Sequence, residues 1–531
     1  MRIRAAMAAL TLMLFAGCKA QRAGGLRHVG ERRSPGAGQA LLVAPGGSSA
    51  LYLREPIQPK GPLMPSDLFL GELVLVPASG EPVSLGPGAT NLAGDVLFSP
   101  DGGQVAFLRH FDFQSSSGEL ALAPTGGGAP RIVAGGVTFF GFSPDGRWLG
   151  DVASGRLEIA FVSGGAPRVV ADGVSTFEFS ADGETLLYRR RAALGGELVI
   201  EATDGHGAPV VVARQVADYR FDQKGRAIAY TLETPDRLPE LHLWKAGRER
   251  LLGKGAPSFE FSPDGKLLAF VAGVSAHYLE GDLYAVDVEG GAAERVGSRA
   301  GAYRFAPDGR NLAFLDDYYD QSRTGKLELW RPGAGKATLI APAVRLFGWS
   351  HRGAWLAFLE TVTRPMYTER LYLVSPGAAA ERRFVGQAIY SFDFSPDDSK
   401  LLFKAGCVAG GQACDLMAVD THALSEGPPP LPDGGVTPSK ATRVAAGIAD
   451  YDYSTDGKWL WTAFMNPVGH TVDLAVLPSS GGWSLPRYVD RGVEPHPRWL
   501  ADGRIAYLVD APKRAGLYEA DPAKAEAISV H

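Results

Sequence analysis

Residues 261–270 read FSPDGKLLAF, and near-copies stand at 98–107 (FSPDGGQVAF), 142–151 (FSPDGRWLGD), 179–188 (FSADGETLLY) and 305–314 (FAPDGRNLAF). In each, Pro-Asp-Gly or a variant separates two runs of apolar and aromatic residues. Pro fixes φ, the Asp carboxylate caps backbone N–H groups and Gly accepts positive φ, so the string specifies a tight turn between strands. Taken singly, Asp101, Asp145, Asp264 and Asp308 look like catalytic or calcium-binding carboxylates. At the same place in successive copies they are turn residues, and no D-x-D-x-D-G loop supports calcium.

The aromatic ahead of the turn recurs at Phe98, Phe142, Phe179, Phe221, Phe261, Phe305, Trp349, Phe394, Tyr453 and Trp499, at intervals of 37 to 46 residues with one of 59. A degenerate eleventh copy begins at Val43. Within 258–297 the segments SFEFS, KLLAFVA, DLYAVDV and AAERVG each have the length and composition of a short strand, so one period carries four strands. That is the length of one blade of a β-propeller. The long interval contains SEGPPPLPDGGVTPSK, an insertion between the third and fourth strands of its blade.

The repeat resembles the Pro-Asp variant of the WD40-like repeat found in TolB-type propellers, in tricorn-like proteins and in the propeller of prolyl oligopeptidase and dipeptidyl-peptidase relatives. The resemblance covers residues 40 to 531, with departures from the turn at Gln223-Lys224, His351-Arg352 and Asp397-Asp398. It implies an all-β chain of about eleven four-stranded blades. Eleven exceed what single propellers of this class usually close with, so the expectation is two tandem propellers, 40–300 and 301–531.

Residues 1–18, MRIRAAMAALTLMLFAGC, place two Arg before an apolar run too short to span a bilayer, which is the pattern of an export signal. Leu14-Phe15-Ala16-Gly17-Cys18 resembles a bacterial lipobox, which implies a lipid on Cys18 and an envelope lipoprotein of the outer membrane or facing the periplasm. Residues 19–39 carry five Lys or Arg and no hydrophobic period, as in a flexible basic tether. The remaining Cys407 and Cys414 are spaced to pin a loop, and export permits oxidation to a disulfide.

Charged residues make up 21% and the net charge is −5, which gives no footing for nucleic acid. No G-x-S-x-G, H-E-x-x-H, P-loop or G-x-G-x-x-G pattern occurs, and the repeats leave no segment for an α/β-hydrolase domain. The ten His are dispersed without ligand spacing, so neither a metal nor a cofactor is expected. The expected role is a protein-binding scaffold for envelope proteins, tied to the membrane through its lipid alone. The alternative is a carbohydrate- or peptide-binding propeller with a hydrolase or lyase site in its channel.

Two sets of residues are candidates for recognition. The position before the anchor carries Glu178, Arg220, Glu260, Arg304, Asp393, Asp452 and Arg498, with alternating sign through four blades. On innermost strands these either pair between blades or grip a ligand in the channel. The loops between second and third strands lengthen together from the 261 copy to the 394 copy. They carry His277, Tyr278, Asp317, Tyr318, Tyr319, Asp320, Arg364, Met366 and Tyr367. Tyr, Arg and Met are enriched in binding surfaces, and the paired tyrosines among aspartates are expected to be exposed.

Overall fold

Each copy of the repeat opens with the turn chemistry its residues prescribe. The hydroxyl of Ser262 donates to Asp264 Oδ1 at 2.7 Å, the same carboxylate accepts the amide of Lys266 at 3.1 Å, and Ser262 Oγ accepts the amide of Leu267 at 2.9 Å. The arrangement repeats at Ser99–Asp101, Ser180–Asp182 and Ser454–Asp456. The serine hydrogen bond is the main cause holding these three carboxyls below the usual range. In the copy that reads Phe-Asp-Gln-Lys-Gly, Asp222 stands where the others have Ser, and its Oδ1 accepts the amides of Arg226 and Ala227.

The computed structural model describes most of residues 41–529. It leaves undescribed 1–40, 60–68, 275–280, 363–367, 409–412, 425–439, 466–470, 510–515 and a number of single residues and short pairs. Among the described residues the strands form antiparallel meanders of four. Long strands such as Arg131–Phe142, Thr338–Trp349 and Thr442–Tyr453 close one sheet and open the next, so the described strands fall into eleven units. The insertion falls between Cys414–Asp420 and Thr442–Tyr453, the third and fourth strands of the ninth sheet, and residues 425–439 within it lie outside the described residues.

The sheets are apolar on both faces because each packs between two others, as blades of a propeller do. Leu267, Ala269 and Leu283 of the sixth sheet share a core with Phe305, Leu312 and Phe314 of the seventh. Leu187 and Leu198 of the fourth pack with Ile228 and Tyr230 of the fifth. Leu41, Tyr52 and Val74 of the first sheet share a core with Leu500, Ala506 and Leu517 of the eleventh. The run of sheets therefore closes on itself. Ala300, at the expected division, lies inside the core joining the sixth and seventh sheets, and the first sheet packs on the last.

Among the described residues closure uses no exchanged strand, since the first sheet is built from Leu42 to Thr90 and the last from Arg498 to Ser529. The Ala501 amide donates to the Gly47 carbonyl across the seam at 3.3 Å. On this face the turns also touch one another in series. A Cβ on Gly102 would lie 2.2 Å from the Pro45 carbonyl oxygen, one on Gly309 3.0 Å from Asp264, and one on Gly47 2.0 Å from the Ala501 nitrogen. Glycine at these positions thus serves both its positive φ and the close approach of neighbouring turns. Between outer turns an arginine ties a blade to the next: Arg168 donates to the Thr203 carbonyl and Arg250 to those of Asp287 and Gly291.

Candidate functional site

The face opposite the turns carries the loops between second and third strands and the links between blades. In the seventh sheet, Asp317 has φ 46° and breaks the register between Asp316 and Tyr319. Such a bulge re-aims the side chains beyond it. Tyr318 is turned into the core, 8% exposed, where it covers Gly301; a Cβ on that glycine would meet the ring at 2.5 Å. The expectation that both tyrosines are exposed is corrected for Tyr318, and Tyr319 alone is presented, at 54%. Asp317 itself is held by Lys326 at 2.6 Å and Arg299 at 2.8 Å, and these bonds keep its carboxyl below the usual range.

The same device operates in the ninth sheet. Ala388 has φ 55°, the register shifts between Ile389 and Ser391, and Tyr390 is turned outward at 56% exposure while Ile389 is buried. Val408, on the loop after the second strand of that sheet, is 59% exposed. The structure pairs Cys407 beside it with Cys414 in a disulfide. Tyr319, Tyr390 and Val408 therefore share one face in a sector that runs from the seventh sheet to the ninth. Neither Tyr390 nor Val408 was singled out from sequence: only the positive φ at Ala388 turns Tyr390 out, and an alanine does not announce it. His277, Tyr278, Asp320, Arg364, Met366 and Tyr367, like Cys18, lie outside the described residues.

The charged inner-strand positions fall around the axis of the ring. Burial pushes the Glu178 carboxyl up to about 7 against the pull of Arg220 in the next sheet. Glu260 is likewise pushed up to about 7 by burial, opposed by Arg304. Beside each Glu–Arg couple a tyrosine bridges the same two sheets. Tyr219 and Thr176 hydroxyls lie 3.0 Å apart, and the Tyr303 hydroxyl donates to Ser258 Oγ at 3.3 Å. These residues register one sheet against the next. Asp393 and Asp452 accept the amides of their following residues, Phe394 and Tyr453, at 2.9 Å. Arg498 pairs with Ala506 in the short first strand of the last sheet, and Trp499 beside it donates to the Asp452 carbonyl at 3.3 Å. Among the described residues no three His, Cys, Asp or Glu side chains are grouped as metal ligands.

No family model matches the chain, and no curated protein matches it. Solved structures do. One titled as a eukaryotic initiation factor is 13% identical, covering 79% of this chain and 95% of its own, with a TM-score of 0.43. The tricorn protease is 12% identical with a TM-score of 0.30; the match covers 90% of this chain but 62% of the protease. A putative TolB from Agrobacterium tumefaciens is 18% identical, covering 42% of this chain and 87% of its own, with a TM-score of 0.25. These scores are low, so the propeller architecture stands on the chain's own sheets and cores.

Proposed function

We propose that this chain is an exported β-propeller, held at the cell envelope by a lipid on Cys18, that docks a protein partner on the face carrying the links and long loops. The observation that carries the reading is the exposure of Tyr319, Tyr390 and Val408 on one face of the seventh and ninth sheets. Tyrosine supplies large contact area with two side-chain torsions to order, which is why binding hot spots concentrate it. The arginine and lysine that hold Asp317 supply the polar rim such a patch needs. The export signal and lipobox resemblance support the location. Among the described residues no helix is long and apolar enough to cross a membrane.

The test is capture from envelope extract by the full-length chain, followed by reconstitution with the purified captured protein. Tyr319→Ala combined with Tyr390→Ala is expected to weaken that complex by about 2 kcal/mol, roughly 30-fold in Kd, with an unchanged melting temperature. Equal affinity of wild type and double variant would remove the docking face from consideration.

A further inference from the structure

The outer strand of a sheet leaves one row of backbone N–H and C=O groups unpaired, and such an edge invites another strand unless a charge or a proline blunts it. The outer strands of the second, third, fifth, sixth, eighth, ninth, tenth and eleventh sheets each carry Arg or Glu in their first two positions, as Arg168 and Arg248 do. Those of the first and seventh sheets are interrupted by Pro87 and Pro342. The fourth sheet is the exception. Its outer strand, Val210–Arg214, reads VVVAR, with Pro209 ahead of the strand instead of within it and a charge only at the far end. It pairs inward with Gly195–Ala202, and among the described residues no strand pairs its other side.

The unguarded edge is also apolar. Val210 is 51% exposed and Val211 40%, and the outer strands of the sheets on either side present Val169 and Leu251. We propose that this edge pairs with the same edge of a second copy of the chain, antiparallel about a two-fold axis normal to the fourth sheet.

Charge selects that partner and that direction. Glu197 is shared by Arg190 at 3.0 Å and Arg214 at 2.9 Å, so the end of the strand beside the links keeps one positive charge in excess, and the Arg214 side chain is 70% exposed. Ahead of the strand's other end Arg168 is taken up by Glu201, and the Asp204 carboxylate, with His206 beside it, is 59% exposed. Antiparallel pairing turns the Arg214 end of each copy toward the Asp204 end of the other, whereas parallel pairing would set the two Arg214 side by side. The two-fold axis runs along the rim of the ring. The first sheet, where the described chain begins at Leu41, stands about a quarter turn from the fourth, so both copies send their first sheets to one side. Two chains held by lipids on one membrane require that arrangement. This last point rests on the proposed anchor; the pairing edge does not.

The experiment uses the full-length chain with Cys18→Ser, so that an acyl chain cannot cause association and failure of the anchor is separate from failure of the edge. A five-residue edge makes a small interface, and sedimentation equilibrium is expected to show a dimer with a Kd of about 1–100 µM. Val210→Arg, which gives this strand the residue that opens its neighbour, should weaken the dimer at least about tenfold with an unchanged melting temperature. Directly opposed residues of an antiparallel pair have Cα atoms about 4.5–5.5 Å apart, within disulfide range. Cys407 and Cys414 are bonded to each other, so an added cysteine near the axis is the free thiol: Val211→Cys or Val212→Cys should link two copies under mild oxidation. Leu339→Cys, on the proline-interrupted outer strand of the seventh sheet, should not. The proposal is overturned if the chain is monomeric at about 100 µM, if Val210→Arg associates as the parent chain does, or if Leu339→Cys links as readily as the valine variants.

Discussion

The carboxylate of Asp398 accepts the backbone amide of His351 at 2.8 Å, across the boundary between the eighth and ninth sheets. Its second oxygen accepts the amide of Arg352 at 2.8 Å, and the His351 ring Nδ1 lies 3.1 Å from the first. Asp398 occupies the place of the turn glycine at φ 63° and is 5% exposed. The two adjacent departures from Pro-Asp-Gly, His351-Arg352 and Asp397-Asp398, are therefore one feature: a longer side chain in one turn reaches back to cap its neighbour.

Asp398→Ala should destabilise the protein by about 2 kcal/mol, because two backbone amides lose a buried charged acceptor and alanine keeps the unfavourable φ. Asp398→Asn should cost less, since Asn tolerates that φ and retains an acceptor oxygen. The Asp398 hydrogen bond raises the His351 pKa, so that part of the stability is present below the ordinary histidine value and fades as pH rises through the folded one. Thermal melts at about pH 6 and about pH 8 check it: the penalty of Asp398→Ala must be larger at the lower pH.

Gly47→Ala should weaken ring closure, because its Cβ would lie 2.0 Å from the Ala501 nitrogen at the seam. Gly46→Ala is the control: Gly46 shares the positive φ, +83°, but a Cβ there meets nothing within 4 Å. Hydrogen exchange of the first and last sheets should rise for Gly47→Ala well beyond Gly46→Ala. Equal effects would mean that backbone strain alone accounts for the change.

Burial, with the Glu158 charge adding to it, pushes Asp151 up to about 7; the side chain is 3% exposed and Oδ1 has no hydrogen-bond partner. The fold thus favours the protonated acid. Its stability is intact below the ordinary carboxylate value and is lost as pH rises toward the folded one. Asp151→Asn should raise the melting temperature at about pH 8 and leave it nearly unchanged at about pH 4. Glu178 and Glu260 add slopes of the same sign to both proteins, so the difference between variant and wild type is the quantity to read.

Tyr318→Ala and Tyr319→Ala separate two neighbours that the bulge at Asp317 sends in opposite directions. The first empties a core position and should cost about 3 kcal/mol or more. The second should leave melting unchanged and act on partner binding alone. A large loss of stability in Tyr319→Ala would place that ring on the propeller.

If Cys18 carries the proposed lipid, Cys18→Ser should release the protein from membranes into the soluble fraction, because the proposed acylation site is gone while the sheets are untouched. Fractionation with acyl labelling is the measurement. A variant that still needs detergent for extraction would place the anchor elsewhere.

Much of the fold was legible because its information is local. Ser-x-Asp turns, apolar runs and a period near that of one blade lie in contiguous residues, and they recur often enough to separate a turn aspartate such as Asp264 from a catalytic one. The candidate face was legible only in outline. Loop lengths pointed to the sector, but the side chains presented there, Tyr390 and Val408, depend on where single residues take a positive φ.

The sequence by itself determined an all-β chain of four-stranded units and the chemistry of each turn, because strand alternation and turn geometry are set by neighbours in the chain. Tertiary structure alone decided that the run closes between residues near 41–76 and 500–517, that Asp398 serves the turn of His351, and that Tyr318 is buried while Tyr319 is not. Those outcomes rest on contacts between residues that lie far apart in sequence or on a local bulge, and the energies that choose among them arise only when sheets pack face to face.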